Sequence, residues 1–435
     1  MPDYLDAACQ AANFIDGQRL DTPGQWRRAV GSDRRDRSLY HGSAGILLLL
    51  LELYAATGRA ERLDQAIAAG EEITAYLAKT DWLSVSVATG WPGYAFALGE
   101  LGRISGRKDF LALAGACLDR LRSQATEFER GIGWIEPMPF SDITGFTGNR
   151  EIYDQSVGAA GAALVMLSAH RHGLHDQALT WAVAIGERLL DVAETDPEGL
   201  RWRLMSDMPF PFTTPNFAHG GAGVGYLMAE LYRATGDTRF LDAASLAARY
   251  VLSRAAPVGS GCLVCRTEEA ADPIYYLGQC HGPAGTGRLF LALHEISGEP
   301  VWLDYARALM RGLEALGAPE ARSTGLWNNY GQCCGDAGIG EFALLMASRT
   351  GDAGYLDLAR RCADVIISAS VLAGDQRHWQ QAEHRDRSDF VEAQTGYMQG
   401  AAGIASFLLH LATTLDGNPV KMALPDWPTF AANGG

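Results

Sequence analysis

Long apolar runs are missing from this chain. The longest unbroken aliphatic stretch, residues 46–51, is far too short to span a bilayer, which excludes a membrane-spanning helix. Residues 1–16 carry Asp3, Asp6 and Asp16 and no apolar core of signal-peptide length. Positive charge is also in deficit: the formal net charge of -15 argues against a nucleic-acid backbone as partner and leaves small molecules or peptides. These absences describe a cytoplasmic protein, so the eight cysteines are expected as thiols or metal ligands rather than structural disulfides. Low-complexity segments and domain boundaries are absent as well. With 435 residues, 48% of them hydrophobic, the chain exceeds the usual size of one domain unless it is built from repeats.

Repeats are what is there. Gly-x-x-Gly followed by a small or apolar helical run occurs seven times, with first glycines at Gly42, Gly90, Gly158, Gly220, Gly282, Gly335 and Gly400. The runs that follow, such as Ile46-Leu47-Leu48-Leu49-Leu50-Leu51, are apolar nearly all round and predict helices buried on most faces. Most end at a glycine of helix-terminating type, among them Gly58, Gly106, Gly236, Gly298 and Gly351. One-sided helices with spaced alanines come next, as in Leu241-Asp242-Ala243-Ala244. A unit of buried helix, glycine turn and amphipathic helix cannot cover its inner helix alone and must stack. Because the inner helices need neighbours on both sides, the expected fold is all-α, a closed (α/α)7 toroid of seven helical hairpins. Residues 1–38 would supply a closing outer helix, 39–415 the seven repeats and 416–435 an irregular tail. The longer connections, with Trp134, Trp202, Trp327 and Trp379, return to the inner-helix N-termini and are expected to line an active site there with tryptophan.

If the ring closes, the residues just before each first glycine face one mouth: His41, Thr89, Val157, His219, His281, Cys334 and Gln399. One position earlier lie Cys280 and Cys333. Three cysteines from adjacent repeats then converge. Adjacent cysteines rarely bridge each other, whereas three thiolates with an open fourth position make the catalytic zinc pattern, and sulfur selects zinc over magnesium or calcium. Cys9, Cys117 and Cys362, on helical runs, read as small buried hydrophobes. Cys262-Leu263-Val264-Cys265 is a weak rival for the metal. His219 is a candidate for function at this convergent position. Asp154, at the entry to the third inner helix, reads equally as a capping residue or a site residue. His281 is a candidate fourth ligand or supporting group, although its adjacency to Cys280 makes joint ligation awkward. His41, Gln399, Glu383, His384 and Arg385 are further mouth residues without an assigned task.

This pattern resembles the lanthionine synthetase C-like family: seven Gly-x-x-Gly helix starts, Asp154 before the third, Ala218-His219-Gly220, Cys280-His281-Gly282 and Cys333-Cys334-Gly335. The resemblance implies an (α/α)7 barrel with one zinc ion at its mouth, held by Cys280, Cys333 and Cys334. It implies a cyclase that adds a cysteine thiol to dehydroalanine or dehydrobutyrine, forming a thioether, with His219 and Asp154 as acid/base residues. Many members have Cys-His-Gly at the sixth repeat, so Cys333-Cys334-Gly335 is similar to the all-cysteine subgroup. Members acting on lantibiotic precursors tend to carry an arginine four residues before the first zinc cysteine. Here that residue is Tyr276, and Arg288, Arg201 and Arg203 are candidates to replace the missing guanidinium. The chain carries no dehydratase or kinase domain, so a separate protein is expected to make any dehydrated substrate.

The chemistry is consistent with that implication. A thiol of pKa ~8.5 is mostly protonated at neutral pH, and coordination to zinc deprotonates it. After attack on the β-carbon, the enolate needs a proton at Cα, which an imidazole such as His219 can donate, while Asp154 orients it. Rival readings are the addition of a free thiol such as glutathione to a dehydrated or electrophilic partner, a non-catalytic zinc and peptide scaffold, and a carbohydrate-active toroid using paired carboxylates.

Overall fold

Two kinds of helix alternate along the chain, and their burial explains why. In the computed structural model, which describes residues 3–137, 147–208, 214–267, 274–322, 325–420 and 424, fourteen helices form two layers. The inner ones are Ser43–Thr57, Trp91–Ser105, Ala159–Arg171, Gly221–Thr235, Pro283–Ser297, Asp336–Thr350 and Ala401–Leu415. In Ser43–Thr57 every residue from Ser43 to Leu53 is buried. The helix behind it, Ala60–Leu77, buries only Arg62, Ala66, Ala69, Gly70, Ile73 and Leu77, one stripe at helical spacing. Each inner helix packs on its sequence neighbours, and the seventh packs on the first. Tyr4–Gly17 lies behind Ala401–Leu415, so the first helix covers the last and the ring is closed. Most of the expected tail beyond Asp416 lies outside the described residues. Among those described, no helix is long and apolar enough to cross a membrane.

The glycines work in two ways. Gly58, Gly106, Gly236, Gly298 and Gly351 end inner helices at φ between 68° and 73°, the left-handed region that glycine enters without a Cβ penalty. Those of Gly-x-x-Gly have ordinary negative φ; close approach is what excludes a side chain. A Cβ on the second glycine of any repeat would lie 1.8–2.3 Å from the carbonyl oxygen six residues earlier. The turn before each inner helix is therefore folded tightly against the helix's first turn.

Those turns join in a cycle that the sequence did not announce. The Tyr40 N–H donates to the Ala88 carbonyl (3.1 Å), Ala88 to Ser156 (3.3 Å), Ser156 to Ala218 (3.1 Å) and Ala218 to Cys280 (2.8 Å). Cys280 donates to Cys333 (3.0 Å), Cys333 to Met398 (2.9 Å), and Met398 back to Tyr40 (3.0 Å). Each member lies two residues before the first glycine of its repeat. Seven backbone bonds thus draw the end of the toroid shut. Just at this ring a cavity of only about 40 Å³ remains, lined in part by Tyr40, Ala218 and Cys333, too small to admit a peptide.

Short antiparallel strand pairs supplement the helices. Thr126–Glu127 pairs with Ile132–Gly133, Glu194–Asp196 with Gly199–Arg201, Ala255–Val258 with Gly261–Val264, and Val371–Ala373 with Gln376–His378. Each hairpin follows an outer helix and turns its chain back toward the mouth. The tryptophans expected at the mouth mostly belong here instead. Trp134, Trp202 and Trp379 are buried, and their indole N–H groups donate to the carbonyls of Leu121, Leu189 and Ile366 at the ends of outer helices. A buried indole needs an acceptor, and the frayed carbonyls of a helix C-terminus supply one. These rings pin the hairpins; of the four named connections, Trp327 alone brings its tryptophan to the mouth.

Candidate active site at the mouth

The backbone ring delivers the thiols. Cys280 and Cys333 are consecutive links, and Cys334 follows directly. Their sulfurs all lie within 4.8 Å of one another: Cys280 Sγ is 3.5 Å from Cys334 Sγ, which is 3.6 Å from Cys333 Sγ. Among the described residues this is the one group of three or more histidine, cysteine or acidic side chains arranged to hold a metal ion. Cys280 and Cys333 are buried and Cys334 nearly so. The electrostatics fit a cation. Cys333, hydrogen-bonded by Cys280 and Cys334 and also by Tyr40, is held well below the usual thiol range. Cys280 is pushed well above it by its bonds to Cys333 and Cys334 and by burial. At Cys334 the bond from Cys280 favours the thiolate, but the bond to Cys333 and burial outweigh it and push the group up. Three sulfurs this close fit a soft dication, whose charge favours the thiolate at each.

His219 stands on the fourth turn, and its Nδ1 is 2.8 Å from Asp154 Oδ2. Burial disfavours the imidazolium, but the Asp154 carboxylate more than offsets it, so the group titrates above the ordinary imidazole range. Asp154 does two things with two oxygens. Oδ1 accepts the Val157 N–H at 2.7 Å, as Ser38 Oγ accepts the His41 N–H and Ser86 Oγ the Thr89 N–H in the first two turns. One oxygen of Asp154 thus caps the third turn while the other meets His219. His281 faces His219 with ring centroids 5.3 Å apart and meets Tyr276 edge-on at 5.6 Å. Burial, then the His219 and Arg266 charges, hold it well below the usual imidazole range.

The other candidate residues ring this centre. Gln399 Nε2 donates to Tyr40 Oη at 3.0 Å and lies 3.6 Å from Cys334 Sγ. Tyr276 packs 5.1 Å from Trp327, and burial pushes its phenol up to about 12. His41 Nε2 is 3.3 Å from Glu383 Oε1, while His384, half exposed, is 4.0 Å from the same carboxylate. Arg385 is near enough for its charge to act on Tyr276. Of the three arginines considered as replacements, Arg201 and Arg203 both pair with Glu194, and Arg288 is buried in an inner helix over Phe217. A guanidinium that does stand at the mouth is Arg266, lying 5.0 Å over the Tyr276 ring. It directly follows the Cys262-x-x-Cys265 hairpin, and nothing in its sequence neighbourhood marks it. Cys262 and Cys265 are partly buried thiols, both pushed up by burial. The contact that ties Cys265 to the mouth is made by its carbonyl, which accepts from Asn216 Nδ2 at 2.7 Å.

Comparisons agree with this geometry. Residues 33–422 match the family described as "Lanthionine synthetase C-like protein". No curated protein sequence matches the chain significantly. Among solved structures it is similar to one titled "Nisin cyclase", at 16% identity and TM-score 0.64 over 96% of this chain and 95% of that one. It is also similar to an α-mannanase of glycoside hydrolase family 76 from Bacteroides thetaiotaomicron, at 13% identity and TM-score 0.54 over 95% and 97% of the two chains. A Listeria innocua protein aligns at 11% identity and TM-score 0.52 over 97% and 100%. At these identities the structural likenesses establish the helical toroid.

Proposed function

This chain belongs to the lanthionine synthetase C-like protein family, and on that premise we propose that it adds a cysteine thiol of a dehydrated peptide to dehydroalanine or dehydrobutyrine, closing a thioether ring. The observation that carries the reading is the cluster of Cys280, Cys333 and Cys334 sulfurs beside the His219–Asp154 pair. In it the three cysteines hold one zinc ion, which when bound lowers the pKa of a substrate thiol and so supplies a thiolate at neutral pH.

The chain's own residues do the rest. The closed backbone ring keeps the peptide on the outer face, where Tyr276 and Trp327 form an aromatic wall. Attack on the β-carbon leaves an enolate. His219, kept in its cationic form by Asp154, donates a proton from Nε2 to Cα, because Nδ1 is committed to the carboxylate. Arg266 over Tyr276 places a positive charge on the same wall, which favours the developing oxyanion. The relative titled "Nisin cyclase" supports a peptide as substrate, and a separate dehydratase or kinase protein would prepare it. The α-mannanase likeness carries no such support, since at 13% identity it shows the fold alone.

The test is metal analysis together with mass spectrometry of a dehydrated cysteine-containing peptide, with and without glutathione. Loss of the free thiol without change in mass supports ring closure. A glutathione adduct moves the assignment to intermolecular addition, and an unchanged peptide with metal-loaded protein would leave a binding scaffold.

A further inference from the structure

Two side-chain amides beside the cysteines have their orientations fixed by backbone groups further out. Asn329, ahead of the sixth inner helix, is fully buried. Its Oδ1 accepts the Gly331 N–H at 2.9 Å, and its Nδ2 donates to the Ala382 carbonyl at 2.8 Å. A backbone N–H can only donate and a carbonyl can only accept, so the two ends of this amide cannot be exchanged. The other Nδ2 hydrogen goes to Gln399 at 2.9 Å. The Gln399 atom that meets it is therefore the oxygen, Oε1, and the far end is the NH2 group. Gln399 is 1% exposed, and its Nε2 faces Tyr40 Oη at 3.0 Å and Cys334 Sγ at 3.6 Å, one acceptor for each hydrogen. Tyr40, having accepted from Gln399, keeps its own hydroxyl hydrogen for Cys333, with which it is hydrogen-bonded and packed. A direction set at Gly331 and Ala382 thus passes through two amides and a phenol and ends on two sulfurs.

We infer that Gln399 and Tyr40 are positioning residues of the metal centre, donating hydrogen bonds to the ligating sulfurs of Cys334 and Cys333, with Asn329 keeping the donors aimed that way. This rests on the reading of the three cysteines as zinc ligands. The donor set itself calls for such a device. Three thiolates carry one more negative charge than a dication offsets, and a substrate thiolate would add another. An ionised sulfur is a stronger acceptor than a neutral one, so donors on two of the three favour the form that binds metal. The same bonds meet a second need. A dehydrated peptide brings an electrophilic alkene to this mouth, and Cys334, the most exposed of the three sulfur residues, is the one that receives Gln399. A hydrogen-bonded sulfur holds its electron pair more tightly, so the protein's own cysteines stay ligands rather than becoming nucleophiles.

The test uses the metal and a small electrophile, with no peptide. Gln399→Met and Tyr40→Phe nearly keep the side-chain volume and each deletes a donor, so a purely space-filling role predicts no change in either. Zinc affinity, read by competition with a chromophoric chelator, is expected to fall roughly 10-fold or more in both. Cobalt in place of zinc gives a sulfur-to-metal charge-transfer band. That band should move to longer wavelength in each variant, because a sulfur without its hydrogen bond gives up an electron more readily. Iodoacetamide should label Cys334 in metal-loaded Gln399→Met roughly tenfold faster than in wild type, the worth of one hydrogen bond to a charged group. Should Gln399→Met fail to fold, the band of Tyr40→Phe decides. An unmoved band and unchanged labelling in both variants overturn the inference, whatever the affinity does, and leave the metal reading standing. A wild type that binds neither zinc nor cobalt overturns both.

Discussion

Two of the histidine–carboxylate clusters among the described residues put the same groups to opposite uses. At the mouth, His219 has one carboxylate and one open nitrogen, and it is partly exposed. In the barrel wall, His410 is gripped at both nitrogens: Nε2 is 2.8 Å from Glu52 and Nδ1 2.5 Å from Glu341. Ser406 donates to Glu52, and Tyr397 and Ser406 hydroxyls meet at 3.0 Å, so the whole group is satisfied and buried. Its three charged members come from the first, sixth and seventh inner helices, across the seam where the ring closes. One carboxylate with a free nitrogen suits the proton donor proposed at His219; two carboxylates with none make a clamp. The number of partners, rather than the residue type, separates the two histidines here.

The comparison can be broken at its strongest point first. Alanine at Cys280, Cys333 or Cys334 is expected to abolish bound metal and turnover without unfolding the barrel; full metal stoichiometry in all three variants, read by elemental analysis, removes the centre that the mouth histidine serves. His219→Ala should retain metal, lower turnover roughly 10²–10⁴-fold and leave the thermal midpoint within about 2 °C. His410→Ala should do the reverse. It strands two buried carboxylates and costs about 3–5 kcal/mol in denaturant unfolding, with turnover of the folded protein unchanged.

The pH dependences sharpen the contrast. Burial opposes the charge on His410, but Glu341 and Glu52 overcome it and raise its pKa to about 9. A folded-state value above the unfolded ~6.5 means that the stabilisation is complete below about pH 6.5 and is lost as pH rises through 9. Wild-type melting temperature should therefore fall across that window more steeply than that of a Glu52→Gln, His410→Leu, Glu341→Gln variant. His219 is also raised, so turnover should fall on the alkaline side as the donor loses its proton. The smallest effects separate the two oxygens of Asp154. Asp154→Asn retains the cap to Val157 while removing the charge on His219, and should move that alkaline limb to lower pH. Asp154→Ala loses the cap too, costing about 1 kcal/mol.

Much of this was legible in the chain itself, because a repeat writes the same constraint seven times. The inner helices, their terminating glycines and the convergence of Cys280 with Cys333 and Cys334 all follow from one phrase recurring at corresponding positions. What escaped is whatever the repeat does not encode. Arg266 reaches Tyr276 from an unrelated hairpin, so no spacing rule points to it. Trp134, Trp202 and Trp379 were expected at the mouth because their connections run there, yet each is held back by an indole bond thirteen residues upstream. Glu383 was a mouth residue without a partner until folding set it beside His41. The small strand pairs follow glycine turns such as Gly259 and Gly374, too brief for alternation to register.

The cycle of backbone bonds from Tyr40 round to Met398 has neither beginning nor end. The seam where Tyr4–Gly17 sits behind Ala401–Leu415 is packed as any other helix pair is. A circularly permuted gene, opened at the Gly259 turn and joined through a flexible linker, should yield a protein that still gathers Cys280, Cys333 and Cys334 around a metal. Its metal content would measure how far the mouth is a property of the closed circle rather than of the order in which it is synthesised.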